Sequence, residues 1–149
     1  MIRQFRLEDA HSCCTLIHDC LAQDHSLSPG LREKLLTSET PQAMEQRSRL
    51  FYVAVDESED GILGVGGLDM NEIRILCVSP EQRRKGIGRG LLEHMQRMVP
   101  GILFPDIFVY SSLEGRNFYR ACGFKEKGSV NFDIGGEQLR TVFMVLPVW

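Results

Sequence analysis

Chemistry is most concentrated between Val78 and Leu92, where the chain reads Val-Ser-Pro-Glu-Gln-Arg-Arg-Lys-Gly-Ile-Gly-Arg-Gly-Leu-Leu. Three consecutive cations, Arg83, Arg84 and Lys85, precede Gly86, Gly88 and Gly90, with Ile87 and a further cation, Arg89, between the glycines. Glycine lets backbone approach a guest closely, and the first turn of the helix that follows offers unpaired N–H groups and a positive dipole end. The segment is an anion cradle, and phosphate is its expected guest. A nucleotide triphosphatase loop would place Lys and then Ser or Thr after its last glycine, whereas here the lysine comes first. A dinucleotide fingerprint would place its first glycine directly after the strand, whereas Ser79 to Lys85 is a long charged loop. A diphosphate that needs no metal fits best.

The elements that must hold this cradle follow from periodicity. Ile87, Leu91, Leu92, Met95, Met98 and Val99 recur at helical spacing, Arg89, Glu93, Gln96 and Arg97 fill the other face, and Pro100-Gly101 ends the run. Upstream, Glu72 to Val78 is apolar, β-branched and short, the mark of a mostly buried strand. Downstream, Ile107 to Tyr110 is a second strand. A strand-helix-strand crossover makes the two strands parallel and puts the loop at the carboxyl end of the first, where open α/β sheets bind ligands. Ser111-Ser112 is expected to cap a helix over Leu113 to Cys122, which Gly123 ends.

Elsewhere, Ile2 to Leu7 is a candidate strand, followed by a helix that Glu8-Asp9 open and whose apolar stripe is Ala10, Cys13, Cys14, Ile17 and Leu21. Ser28-Pro29 and Thr40-Pro41 start two further helices. Leu50 to Val55 and Ile62 to Leu68 pair across an acidic turn. Gly64, Gly66 and Gly67 in the second of these point to a bulge, to close approach by a neighbour or ligand, or to simple packing. Lys125 to Asp133 and Gln138 to Val145 form a hairpin around Ile134-Gly135-Gly136-Glu137.

The 149 residues, 43% hydrophobic, suit one domain over 1–149 with a single core. A net charge of −3 gives no general attraction to nucleic acid or acidic membranes, so Arg83, Arg84, Lys85 and Arg89 act locally. The N-terminus, Met1 to Ala10, carries charge and no long apolar run, so neither a signal peptide nor a membrane span is expected, and a cytoplasmic location is the default. The five cysteines, Cys13, Cys14, Cys20, Cys77 and Cys122, lack the spacing of a disulfide framework and are expected reduced. His11, Cys14 and His18 share a helix side, but no second ligand pair at metal spacing accompanies them, and no metal is expected.

Arg83-Arg84-Lys85-Gly86-Ile87-Gly88 after Val78-Ser79-Pro80 resembles the acyl-CoA pyrophosphate loop of the GNAT superfamily of N-acetyltransferases, whose pattern is Arg or Gln, two residues, Gly, one residue, Gly or Ala. The preceding strand, the following helix and a later Phe118-Tyr119-Arg120-Ala121-Cys122-Gly123-Phe124 occur in the family's order. The resemblance covers Phe51 to Phe124 well and the two ends loosely. It implies an α/β, GNAT-like acyl-CoA N-acyltransferase fold: a mixed, twisted sheet of six or seven strands with helices on both faces.

The same resemblance implies acetyl-CoA as cofactor, its diphosphate on the loop and its pantetheine arm along the backbone of Leu76, Cys77 and Val78, where parallel strands splay. It matches Glu72 to a glutamate that serves some members as general base. It matches Tyr119 to a tyrosine that protonates or hydrogen-bonds the departing thiol. Ser112 stands where the family usually has an asparagine, and Gly115 where it has an alanine. An amine attacks only when neutral, and one with a pKa near 10.4 is protonated at neutral pH, so a base is required. Strand alternation puts Glu72 beside Arg74, an ion pair expected to lower the carboxylate pKa. The reading is an N-acetyltransferase acting on a small-molecule or peptide amine by direct attack in a ternary complex, with a homodimer implied by resemblance alone. A non-enzymatic acyl-CoA sensor on the same fold and a nucleic-acid binder are the alternatives.

Overall fold

A computed structural model describes residues 1–148. Seven strands form one sheet: β1 (Ile2–Gln4), β2 (Tyr52–Ser58), β3 (Gly61–Asp69), β4 (Glu72–Val78), β5 (Asp106–Ser112), β6 (Lys125–Ile134) and β7 (Glu137–Pro147), in the spatial order β1-β2-β3-β4-β5-β7-β6. Every neighbouring pair is antiparallel except β4 and β5, which are parallel as a crossover through a helix requires. The helices are α1 (Ala10–Ala22), α2 (Pro29–Ser38), α3 (Pro41–Leu50), α4 (Ile87–Met98) and α5 (Arg116–Ala121). Among the described residues no helix is long and apolar enough to cross a membrane.

The sheet has a core on each face. On one side Cys13, Leu16 and Ile17 of α1 and Met44 of α3 pack on Val53, Val55, Val65 and Ile75. On the other, Leu92 and Met95 of α4 and Tyr119 of α5 pack on Leu68, Ile73, Ile107, Val109, Val142 and Met144. Ile73 and Ile75 would share a face in a regular strand. They do not, because Gly67 pairs with Ile75 and Leu68 with Ile73, leaving Arg74 as an extra residue that shifts the pleat. A second bulge falls beside Gly64.

The β3 glycines are explained by packing. A Cβ on Gly64 would lie 2.9 Å from Leu91 and one on Gly66 3.0 Å from Met95, so both let α4 sit directly on the strand. At the hairpin, Gly135 and Gly136 have φ of 56° and 91°, the pair of positive values a two-residue turn demands. Beyond it, β6 is the outer edge of the sheet and nearly every residue in it is exposed. Its pairing with β7 is interrupted at Lys127.

Two expectations are corrected. The first strand stops at Gln4 rather than Leu7, because the Asp9 carboxylate accepts the Arg6 N–H at 2.8 Å and binds the Arg3 guanidinium through two bonds of 2.8 and 2.9 Å. That clamp winds Leu7–Asp9 into a 3-10 turn. Ser111-Ser112 does not cap a helix: both residues remain in β5, paired with Val142 and Thr141, and α5 begins only at Arg116.

The Arg3–Asp9 pair is largely buried. Arg3 holds the Asp9 carboxyl below its ordinary value, so its contribution is complete above the unfolded pKa of about 3.9 and is lost as pH falls through the lower folded value. Asp9→Ala is expected to lower unfolding free energy by about 3 kcal/mol at pH 7. In urea titrations, the gap to the parent protein should narrow once the pH drops below the folded value.

Candidate active site

β4 and β5 pair at only two positions, Glu72 with Phe108 and Ile73 with Val109. Beyond these, each strand is held by its other neighbour: Leu76, Cys77 and Val78 by Gly66, Val65 and Gly64 of β3, and Tyr110 to Ser112 by β7. The β5-facing backbone edge of Leu76–Val78 therefore has no strand partner. The opening is a wedge at the carboxyl ends of two parallel strands. Unpaired amides and carbonyls in such a place await an extended polar guest.

The basic loop stands at the mouth of this wedge. Pro80–Gln82 form a 3-10 turn, then Arg84 and Gly86 take φ of 66° and 83°. Gly86 is the N-cap of α4 and no side chain caps it, so the first amides of Ile87, Gly88 and Arg89 lack an intrahelical acceptor. Arg83, Arg84 and Lys85 are exposed. Lys85 donates to Gln82 Oε1 at 3.0 Å and Arg89 to the Ala121 carbonyl at 3.4 Å, while Arg83 leans toward Cys20. Bare amides, a left-handed turn and exposed cations are the donor set that a diphosphate requires. Gly90 approaches Ile2 of β1 and contributes small size rather than a special angle.

Gly88 brings α5 to the same place. A Cβ there would lie 3.2 Å from the Phe118 ring and 3.5 Å from Val78. Phe118 in turn meets Tyr119 edge-on at 5.2 Å, and Phe124 stands 5.2 Å on its other side. Tyr119 is only 7% exposed, and burial pushes its phenol above the ordinary value, with the nearby Cys77 and Cys122 thiols adding to the rise. Ser112 Oγ accepts the Gly115 N–H at 3.0 Å, fixing the turn into α5 and leaving its own proton available. Gly115 precedes α5, and a Cβ on it would crowd Ser112 and Ser111, so its smallness serves chain packing.

Glu72 is not beside Tyr119. Ile73 and Val109 belong to the α4-side core, so their neighbours Glu72 and Phe108 point to the opposite face. The ion pair with Arg74 forms at 3.7 Å, but Arg74 also reaches Asp69 at 3.5 Å and lies over the Phe51 ring. The expected lowering of the Glu72 pKa is corrected: burial raises it, Asp69 adds to the rise, and Arg74 opposes without prevailing.

Cys20, at the end of α1, is a site neighbour that the sequence does not distinguish from the other four cysteines. Its Sγ donates to the Val78 carbonyl at 3.2 Å. Hydrogen bonding with Cys77 and proximity to Arg83 bring its pKa down to about 7, while Cys77 moves up. The spacing Cys13, Ile17, Cys20 could have placed it on the sheet-facing stripe. Glu114 faces Asp24 across the same mouth, and burial together with that neighbouring carboxylate raises the Glu114 pKa. A cleft of about 160 Å³ lined by Ser26, Leu27, Leu31, Ser112 and Arg140 adjoins them. The thiol of Cys14 and the imidazole of His18, which share a side of α1, both contact the Glu39 carbonyl, at 3.4 and 2.7 Å.

The profile of the acetyltransferase (GNAT) domain matches residues 47–126. Solved structures share the architecture. A GCN5-related N-acetyltransferase from Rhodopseudomonas palustris superimposes with a TM-score of 0.91 at 17% identity, over 99% of this chain and 94% of that one. A PaiA N-acetyltransferase from Thermoplasma acidophilum, in complex with coenzyme A, gives 0.81 at 18% identity over 99% and 98%. A phosphinothricin acetyltransferase from Sinorhizobium meliloti, in complex with AcCoA, gives 0.76 at 21% over 99% and 87%. No curated protein matches by sequence. The chain belongs to the GNAT acetyltransferase family, and its reaction class is acyl transfer.

The thiols differ enough to be told apart. Burial pushes Cys13 up to about 12 and raises Cys14 and Cys122, while the hydrogen bond with Cys20, and then burial, raises Cys77. Iodoacetamide should therefore label Cys20 first, its rate half-maximal near pH 7, as read by peptide mass analysis over a pH series. Equal labelling of all five at pH 7 would contradict the thiol geometry at Val78.

Proposed function

We propose that residues 1–149 form one domain that moves an acetyl group from acetyl-CoA to an acceptor amine by direct attack in a ternary complex. The observation that carries this reading is the two-position pairing of β4 with β5, which leaves a polar wedge beside the uncapped start of α4, to which Gly88 and Phe118 link Tyr119. Arg83, Arg84 and Lys85 supply charge to the diphosphate, and the amides from Gly86 to Gly90 supply directed donors. The backbone of Leu76, Cys77 and Val78 pairs with the amides of the pantetheine arm. One N–H of this edge also steadies the thioester oxygen as it gains charge. Ser112 contributes a hydroxyl on the opposite wall.

Glu72 and Tyr119 act from opposite faces of the sheet, which suits a reaction with an entering and a leaving group. On the α1 side, Glu72 removes a proton from the acceptor ammonium, directly or through a water, so that a nitrogen lone pair forms the new C–N bond. Its raised pKa makes it a better base than an ordinary glutamate. On the α5 side, Tyr119 meets the sulfur as the C–S bond breaks. A phenol above its ordinary value of about 10 holds its proton more tightly than a thiol near 8.5. Tyr119 therefore stabilises the thiolate by hydrogen bonding, and solvent completes its protonation on release.

Tyr119→Phe should lower kcat by roughly ten- to a thousand-fold with little change in acetyl-CoA affinity, measured by free-thiol release with an amine panel. Unchanged turnover would remove that role. Loss of activity at low pH should set in above the ordinary glutamate range, because protonated Glu72 cannot accept, and Glu72→Gln should abolish that limb. By calorimetry, acetyl-CoA should bind at least ten-fold tighter than S-acetylpantetheine, and Arg84→Ala should narrow the difference. Equal affinities would contradict the diphosphate cradle. Tight acetyl-CoA binding without transfer to any amine would favour a binding module on the same fold.

A further inference from the structure

Four aromatic rings outside both cores form a continuous row across three strands. Phe108 and Tyr110 of β5 meet edge-on at 5.8 Å, and Phe143 of β7 lies 5.6 Å from the first and 5.3 Å from the second. Phe132 of β6 closes the row, edge-on to Tyr110 at 5.3 Å. Tyr110 is 37% and Phe132 38% exposed. The alternate residues Ile107, Val109, Val142 and Met144 enter the α4-side core, so the row occupies the opposite face. There α1 and α3 cover β2 to β4, and α2 touches β7 only near the hairpin turn, where Lys34 Nζ donates to the Gly135 carbonyl.

Position gives the row a chemical meaning. Phe108 is the register partner of Glu72, on the same face, about 4.8 Å away across neighbouring strands. The carboxylate thus stands at one end of an aromatic floor. An ammonium beside Glu72 is matched in charge, and ring faces favour a cation and a flat apolar body together. The spacing of one strand accommodates a linker of one to three carbons. A long flexible polyamine or a lysine chain would leave most of the row in water.

Resting on the transferase reading above, we propose that the acceptor is a small primary amine joined by a short linker to an aromatic ring. Its amino group points to Glu72 and its ring lies on Phe108 at the near end of the row, against Tyr110 and Phe143, with Phe132 closing the far end. The row sets selectivity through binding of the acceptor's body and takes no part in the proton transfers.

Initial rates with phenethylamine and tryptamine should exceed those with spermidine and Nα-acetyl-lysine by at least ten-fold in kcat/KM. Phe143→Leu and Tyr110→Leu should raise KM for the aromatic amines about ten-fold, leave kcat nearly unchanged and leave acetyl-CoA affinity by calorimetry intact. Equal rates for aromatic and aliphatic amines, with acetyl-CoA bound and consumed, would overturn this inference and leave the transferase reading standing. Failure to bind acetyl-CoA would overturn the transferase reading itself. If no amine is turned over, saturation-transfer NMR with phenethylamine decides: transfer that disappears in Phe143→Leu supports the row as the amine's seat, and no transfer overturns it. A dimer in sedimentation that Phe143→Leu converts to monomer would identify the row as a self-association face and overturn it too.

Discussion

The brief contact between β4 and β5 governs the architecture of the site. Parallel neighbours ordinarily satisfy each other's backbone, and here the ladder stops after two positions. Neither strand is free to close the gap. β4 is held along β3 with its pleat shifted at Arg74, and β5 is fixed to β7 over seven residues, Asp106 to Ser112. The wedge lies between two firm pairings, and its polar edge is left without a strand partner.

The same constraint explains why small residues gather nearby. α4 must start at the end of β4 and lie flat on β3 to bring its first amides to the wedge. Gly64 and Gly66 allow that seating, and Gly88 allows Phe118 to close over the helix start. Phe118 and Phe124 then hold Tyr119 from two sides. The phenol and the basic loop are thus connected through packing, by way of Phe118 and the start of α4.

Much of this was legible in the sequence. The basic, glycine-rich loop, the amphipathic α4 and the Gly135-Gly136 hairpin each carry strong local signals, and the parallel relation of β4 and β5 follows from connection rules. What escaped was decided at long range. Ser111 and Ser112 look like helix caps, but pairing with Val142 and Thr141 keeps them in a strand. Glu72 beside Arg74 suggests a depressed pKa, yet burial against the sheet and Asp69 reverse the sign. The Cys20 contact with Val78 joins residues 58 positions apart, and the aromatic row draws one ring from β6, one from β7 and two from β5. No window of local sequence contains either.

The outermost strand has a consequence of its own. β6 offers ten residues of exposed edge, a template on which a foreign strand could extend the sheet. Lys125 and Lys127 sit at its start, and the irregular pairing at Lys127 disturbs the flatness such an extension needs. Like charge on the two lysines opposes pairing of this edge with a second copy of itself. Because that repulsion is screened by dissolved ions, crowded high-salt conditions are where colloidal behaviour would change first, with the fold itself untouched.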